Sequence, residues 1–506
     1  MKVAFLSSEV APFSKTGGLA DVAGALPKHL QKAGCEISVI TPFYREVAKK
    51  QFDIIPTGRT VTVNVRNAIV SAEILSGRLP DSNVPVFFIK QDKYFDRDGL
   101  YGTTEGDHPD NCERFVFFAR AALEAMETFG WNVDIVHCND WQTALVSIYL
   151  ATTRKNEATF ADVASLFTIH NLAYQGLFWH FDMELIGLDW SWFDYRYLEF
   201  YDKVNLLKGG AILSTLINTV SKRYAGEIQT SEYGCGLEGV LREHSKDLFG
   251  VINGIDYSVW NPATDKLIPA NYDINKLGGK EKCKKALRQQ CGLPQSSVPL
   301  VGFIGRLAEQ KGLDIIAEVI DKIMALDLQM VILGTGNEKY HDLLTGIAKK
   351  YPEKMSANIT FDNKLAHEIE AGCDMFLMPS RYEPCGLNQL YSLKYGAVPI
   401  VRETGGLADT VKKCKTSSLK VGDATGFSFK AYTGAALLKT IKSALQVFAD
   451  RKAWKKLMHN GMQEDWSWSR SAAEYIKLYK KAIKKHNAAR SRASAGGSAS
   501  HGQAAV

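Results

Sequence analysis

The hexapeptide Thr16-Gly17-Gly18-Leu19-Ala20-Asp21 returns letter for letter as Thr404-Gly405-Gly406-Leu407-Ala408-Asp409 in the far half of the chain. Each copy follows a β-rich run, Lys2 to Leu6 and Val398 to Val401, and precedes a helical pattern. Each therefore presents a Gly-Gly backbone at a helix N-terminus, where N–H groups bind phosphate without a dedicated cation. A chain that uses one strand-turn-helix device twice is expected to fold as two α/β lobes. Its 506 residues are too many for one ordinary domain and suit two large ones.

From Lys2 to about Asn253, short β-branched runs alternate with longer helical stretches, as in a parallel sheet wrapped by helices. Strands are expected at Val39 to Pro42, Val61 to Val65, Val84 to Ile89, Val133 to His137 and Ser165 to Ile169. Helices are expected from about Leu19 to Ala33 and after Asp140-Trp141. A second series starts beyond Asn253, with a helix from Lys280 to Cys291, a strand from Leu300 to Ile304, the turn Gly305-Arg306-Leu307 and a helix to about Ala325. Strands at Gln329 to Leu333 and Met375 to Met378 follow. The predicted domains are thus 1–253 and 254–465, then a helix over 466–487, with the Ala-, Ser- and Gly-rich residues 488–506 expected to be disordered.

Polar residues collect where strands end. Met375–Met378 runs into Pro379 to Thr410, which holds Glu383, the turn Pro384-Cys385-Gly386-Leu387 and the second Gly-Gly pair. Open α/β sheets bind ligands at such strand ends, and Gly386 lets the backbone approach one closely. Arg306 and Lys311 bracket the turn 305–312, a spacing that can put a planar guanidinium and a compact ammonium at one mouth. In the first lobe, His170-Asn171 ends a strand, and Lys15 precedes Gly17-Gly18. Asp140 either caps a helix or serves a site; Asp21 either holds the glycine turn or hydrogen-bonds a ligand hydroxyl. Tyr382 and Trp141 either stack on a ligand or belong to the core. His137 beside Cys138 has no third ligand at suitable spacing, which argues against a metal.

Lys15-Thr16-Gly17-Gly18-Leu19, together with Glu383-Pro384-Cys385-Gly386-Leu387 and Thr404-Gly405-Gly406-Leu407, resembles the bacterial glycogen synthases and plant starch synthases. The likeness runs from Met1 to about Tyr479. It implies an α/β GT-B fold, two Rossmann-like doubly wound lobes facing across a deep interdomain cleft, with a C-terminal helix crossing back to the first lobe. The implied activity is that of a retaining ADP-glucose:α-1,4-glucan 4-α-glucosyltransferase, which adds glucose to the non-reducing 4-OH of a glycogen-like acceptor and releases ADP. Glu383 would hold the donor glucose and His170 would lie against it. Arg306, Lys311 and Lys15 would stabilise the leaving diphosphate. Asp21 and Asp140 join the expected catalytic set. Gly17, Gly18, Asn253, Tyr382, Cys385, Gly386, Leu387, Tyr391, Thr404, Gly405 and Gly406 complete the expected substrate contacts. Many retaining relatives carry a second Glu eight residues after the first; Tyr391 stands there, as in the synthase branch, and the group that holds the ribose stays open. So do a UDP-glucose donor, a different acceptor, and a glucan-binding protein without activity.

Composition limits the remaining classes. A net charge of +6 suits anionic substrates and gives no sign of nucleic-acid binding. Nine cysteines at irregular spacings without CxxC fit a reducing compartment and neither a disulfide framework nor a zinc site. No leader or apolar span is evident, so no membrane association is expected. The protein is expected in the cytoplasm, or in the plastid stroma if it is a mature plant or algal enzyme. No metal or other cofactor is expected, and oligomeric state is not readable.

Overall fold

Val-, Ile- and Leu-rich runs too short for helices become parallel strands buried on both faces, and they do so here in two series. The computed structural model describes residues 1–414 and 422–499, with side chains through 492. Its contacts divide the chain into one unit of Met1–Val220, Ala225–Gly254 and the residues from Trp468, and a second of Ser221–Tyr224 and Ile255–Ser467.

The first unit is built on a nine-stranded sheet. Its order is Leu248–Gly250, Leu216–Thr219, Ala164–Ile169, Ile135–Asn139, Lys2–Leu6, Glu36–Pro42, Pro85–Lys90, Ala68–Arg78, Ile55–Val65. The seven strands from Leu248–Gly250 to Pro85–Lys90 are parallel. The expected all-parallel sheet is corrected at the other edge. Ala68–Arg78, absent from the sequence reading, pairs antiparallel with both its neighbours. A two-residue connection, Arg66-Asn67, forces that direction, because only antiparallel strands can be joined by so short a loop.

The terminal helix Trp468–Ala499 belongs to this unit. Tyr479 Oη meets His137 Nδ1 at 2.8 Å, and Asn218 Nδ2 donates to Tyr475 Oη at 3.2 Å. Lys485 reaches Thr215 O at 2.9 Å and Asp247 at 2.7 Å. The disorder expected from Ala488 is corrected: the helix continues to Ala499, since elongating an anchored helix through Ala and Arg costs little once its nucleus exists. Residues 500–506, also expected to be disordered, lie outside the described residues.

In the second unit six parallel strands lie in the order Met355–Asn358, Gln329–Leu333, Leu300–Ile304, Met375–Met378, Val398–Arg402, Phe427–Phe429. Numbered along the chain this is 3-2-1-4-5-6, the Rossmann order, which reverses between Leu300–Ile304 and Met375–Met378. Leu313–Met324 and Gly434–Ala449 cover one face with Ile316, Val319, Ile323, Leu437 and Ile441. Among the described residues no helix is long and apolar enough to cross a membrane.

Candidate active site

Where strand order reverses, the two connections leave on opposite sides and open a crevice beyond the carboxyl ends of the strands. In the second unit the turn after Leu300–Ile304 carries Arg306 and Lys311, and the loop after Met375–Met378 carries Glu383. Lys311 Nζ donates to Glu383 Oε2 at 2.6 Å, and Ser380 Oγ donates to the same oxygen at 3.0 Å. Arg381 ties the two loops together, its amide reaching Gln310 O at 2.8 Å and its guanidinium pairing with Glu309 at 2.8 Å and Asp314 at 3.1 Å. Gln310 Nε2 also donates to Tyr382 O at 3.3 Å. Arg306 is exposed, and its guanidinium has no partner among the described residues. This mouth thus presents one free guanidinium beside a lysine and a carboxylate that hold each other.

The helix Asn388–Tyr395 starts at the same mouth, pinned by Asn388 Nδ2 to Ile304 O at 2.8 Å. Before it, Cys385 is buried, Gly386 sits at φ 72° and Leu387 takes the cap position. Gln389 Nε2 closes this turn on the carbonyls of Cys385 and Gly386 at 3.1 and 3.0 Å. Tyr391 lies flat on Trp260, with ring centroids 3.9 Å apart, and His367 covers the other face of Trp260 at 3.8 Å. Its ring is therefore part of a three-ring stack.

The two glycine pairs, identical in sequence, do different things. Gly405 sits at φ 44°, and a Cβ there would fall 1.9 Å from Glu383 O; one on Gly406 would fall 2.0 Å from Cys385 O. Gly406 N donates to the carbonyls of Glu383 and Pro384, both at 3.1 Å, and Thr404 is fully buried. The expectation that the Gly406 amide faces a ligand is corrected: it buttresses the Glu383 loop. A Cβ on Gly17 or Gly18 would meet nothing within 4 Å, so nothing in the chain's own packing requires glycine there.

The first unit's sheet order reverses between Lys2–Leu6 and Ile135–Asn139, and a residue that the motifs pass over stands there. Glu9, buried, accepts from the Thr16 amide, from Thr16 Oγ1 at 3.1 Å and from Gly17 N at 3.2 Å. Gly17 thus spends its amide on Glu9, which corrects its expected role as a ligand donor. Burial pushes the Glu9 carboxyl up, against the pull of these donors. Lys15 Nζ is 2.7 Å from Asp21 Oδ1, so these two predicted residues form one half-exposed ion pair.

Asp140 follows the next strand at φ 55°, and its side chain does not cap the turn Trp141–Thr143. Its Oδ1 accepts the His170 amide at 2.7 Å, tying the ends of two adjacent strands. Burial pushes this carboxyl up to about 7. Asn139 Nδ2 donates to Leu6 O at 2.8 Å, and Asn139 Oδ1 accepts His170 Nε2–H at 2.9 Å. Burial holds His170 down to about 3, so the imidazole is neutral and its Nδ1 keeps a lone pair. Trp141 is core, its ring against Phe115 and Phe178 at 5.0 and 5.5 Å. His137 is fully buried, with Nδ1 on Tyr479 and Nε2 on Thr168 Oγ1, both at 2.8 Å. Asn253 is buried, and its Oδ1 meets no donor among the described residues. Sequence reasoning also passes over Phe361, 84% exposed three residues beyond the carboxyl end of the strand Met355–Asn358.

Residues 2–243 match the family described as starch synthase catalytic domain, and residues 285–458 match glycosyl transferases group 1. A glycogen synthase from Thermosipho africanus is 48% identical over 96% of this chain and 100% of its own length. One from Thermotoga maritima is 46% identical over 96% and 99%. The catalytic domain of starch synthase IV from Arabidopsis thaliana, solved bound to ADP and acarbose, has a TM-score of 0.87 at 34% identity over 95% of this chain and 99% of that one. Sucrose-phosphate synthase from Thermosynechococcus elongatus, 16% identical with a TM-score of 0.56, shares the fold alone. With two Rossmann-like lobes of the GT-B class and relatives this similar along nearly its whole length, the chain belongs to the family of bacterial glycogen synthases and plant starch synthases.

Proposed function

We propose that the chain transfers glucose from ADP-glucose to the non-reducing 4-hydroxyl of an α-1,4-glucan with retention of configuration, releasing ADP and using no metal. The observation that carries this reading is the Lys311–Glu383 pair at the second unit's switch point, with Arg306 free beside it. As the bond from C1 to the phosphate oxygen breaks, negative charge grows on the diphosphate and positive charge on the sugar. Arg306 and Lys311 compensate the first, as fixed cations in place of a metal. Glu383 compensates the second and orients the glucose. The acceptor oxygen bonds to C1 on the face the diphosphate leaves, and its proton passes to the departing phosphate oxygen.

In the first unit, the neutral His170 ring offers an acceptor to a sugar hydroxyl, and Asp140 holds the strand end from which it projects. Lys15 and Asp21 supply a charged pair beside Gly17-Gly18, where the backbone is open. An adenine donor accords with the ADP-bound Arabidopsis relative, and Phe361 offers a flat ring for the base.

The test is nucleoside diphosphate release from ADP-glucose and UDP-glucose in parallel, with and without glycogen, in excess EDTA. Glycogen-dependent ADP release is expected. UDP release instead would overturn the donor, loss of activity in EDTA would overturn metal independence, and no glycogen dependence with either would overturn the acceptor.

A further inference from the structure

Two helices of the second unit start next to the groups assigned to the nucleotide. Asn363–Gly372 begins just past Phe361, capped by Asp362, and Asn388–Tyr395 begins at the Gly386-Leu387 turn. The strands before them, Met355–Asn358 and Met375–Met378, stand three places apart in the sheet, about 14 Å at ordinary strand spacing. The ring offered to the base and the turn at the diphosphate therefore sit on separate pieces of chain.

Three residues of the irregular segment 255–277 each touch both helices. Trp260 lies between His367 of the first and Tyr391 of the second, its ring 3.8 and 3.9 Å from theirs and within 10° of parallel to each. Asp265 Oδ2 accepts from His367 Nδ1–H at 2.8 Å and from Tyr395 Oη–H at 2.6 Å. Tyr272 Oη reaches Tyr395 O at 2.8 Å and Ala371 O at 3.3 Å. Tyr272, Ala371 and Tyr395 also share a small buried cluster, separate from those that lie on the second unit's sheet. These contacts join helix to helix.

Stability alone does not account for the choice of residues. The Asp265 and His367 side chains are 2% and 0% exposed, and His367 Nε2 is buried with no partner among the described residues. Apolar side chains of the same volume would join two helices at no such cost. A directed pair of hydrogen bonds and a three-ring stack supply a fixed register instead, since each works at one distance and one angle. An unmet buried nitrogen kept at such a place points to a function for the geometry.

We propose that Trp260 and Asp265 are positioning residues for the nucleotide: acting through His367, Tyr391 and Tyr395, they fix the distance from the Phe361 ring to the diphosphate turn, so that one nucleoside diphosphate engages both. The inference rests on the base and diphosphate contacts named under Proposed function. A ligand held at two points gains from the second only while the spacing between them matches its length. With the staple loosened, each contact remains and their joint gain is lost.

The test is a cycle of full-length variants, Trp260→Leu, Phe361→Ala and the two combined, with ADP affinity read by calorimetry. Trp260→Leu is expected to weaken ADP about tenfold when Phe361 is present and less than about twofold when it is not, because without the base contact there is no spacing left to hold. Trp260→Phe, which keeps a ring in the stack, should stay within about threefold of the parent. Should Trp260→Leu not fold, Tyr395→Phe keeps the packing, cuts one bond to Asp265 and serves in the same cycle with an expected loss of about threefold. Equal losses in both backgrounds would overturn the proposal by showing a general loosening of the unit. Unchanged ADP affinity in Trp260→Leu, with Phe361→Ala weakened, would overturn it alone and leave the function standing. A parent that binds UDP instead of ADP, with the same non-additive cycle, would overturn the donor reading and uphold this inference. Phe361→Ala at parental affinity would remove the base contact and this inference with it.

Discussion

Lys311 Nζ and Glu383 Oε2 lie 2.6 Å apart although 72 positions separate the two residues. A cation assigned to the leaving phosphate and a carboxylate assigned to the sugar are thus held as one unit before any substrate arrives. Lys311→Ala should cost about 2.7–4 kcal/mol of transition-state stabilisation, roughly a hundred- to thousandfold in kcat/KM. Glu383→Gln should cost a similar amount, and the double variant little more than either alone, because groups acting together lose their effect together. The three kcat/KM values decide it; fully additive losses would show that the pair does not act as a unit.

Arg306, exposed and unpaired, gives the complementary case. Arg306→Ala should lower kcat/KM by a similar hundredfold or more (about 2.7–4 kcal/mol) while the thermal midpoint stays close to the parent's, since the guanidinium makes no internal contact among the described residues. A turnover within about threefold of the parent, less than 1 kcal/mol, would exclude the assigned role.

Asp140 and His170 oppose each other in pH. Asp140 is raised from 3.8 to about 7, so the stability it contributes is complete below pH 3.8 and lost as pH rises through about 7. His170 is lowered from 6.5 to about 3, so its contribution is complete above pH 6.5 and lost as pH falls through about 3. Between about pH 4 and 6.5 the two slopes cancel. Relative to the parent, Asp140→Asn should make stability rise with pH across that window and His170→Gln should make it fall. Urea midpoints at either end of the window give the sign, and slopes of the same sign in both variants would refute the linkage.

The glycine pairs separate packing from ligand contact. Gly405→Ala places a Cβ on Glu383 O at a left-handed backbone position and should destabilise by about 2–4 kcal/mol. Gly18→Ala meets nothing and opens a helix, so its stability should stay within about 0.5 kcal/mol of the parent. A large loss of kcat/KM in Gly18→Ala at unchanged melting temperature would then report a ligand approaching that backbone; full activity would remove the turn from the substrate site.

Phe361→Ala should raise KM for the nucleotide sugar by roughly five- to a hundredfold, the range of about 1–3 kcal/mol for a base stacked on a ring, with little change in kcat. Binding of ADP by calorimetry checks it independently of turnover. Unchanged affinity would exclude the ring as the base platform.

The second unit's central strands were legible because both their faces are buried. Leu300–Ile304, Gln329–Leu333 and Met375–Met378 are continuous apolar runs with turn signals at their ends, and the structure has each at those residues. Ala68–Arg78 was not legible: an antiparallel strand near a sheet edge keeps a solvated face, and its Ser, Glu and Gly residues read as loop. The site divides the same way. Arg306, Lys311 and Glu383 announce themselves by standing at strand ends beside glycines. Glu9 does not, because the segment from Glu9 to Gly17 is irregular and only the folded loop brings its carboxylate onto the Thr16 and Gly17 amides. Lys15 and Asp21, six apart, are likewise not neighbours on a helix face, and their ion pair depends on the irregular turn before the helix. The different duties of the two identical hexapeptides were hidden for the same reason: a sequence states which residues are glycine and not what stands opposite them.

The terminal helix Trp468–Ala499 is the last described element to leave a ribosome, yet Tyr475 and Tyr479 close the first unit against Asn218 and His137. The older part of the nascent chain therefore waits, with that wall missing, while residues 255–467 are made, a delay of about 10–40 s at ordinary elongation rates. The younger unit is complete in sequence first. A ribosome that stops anywhere in the second unit therefore leaves the first without the helix that closes it.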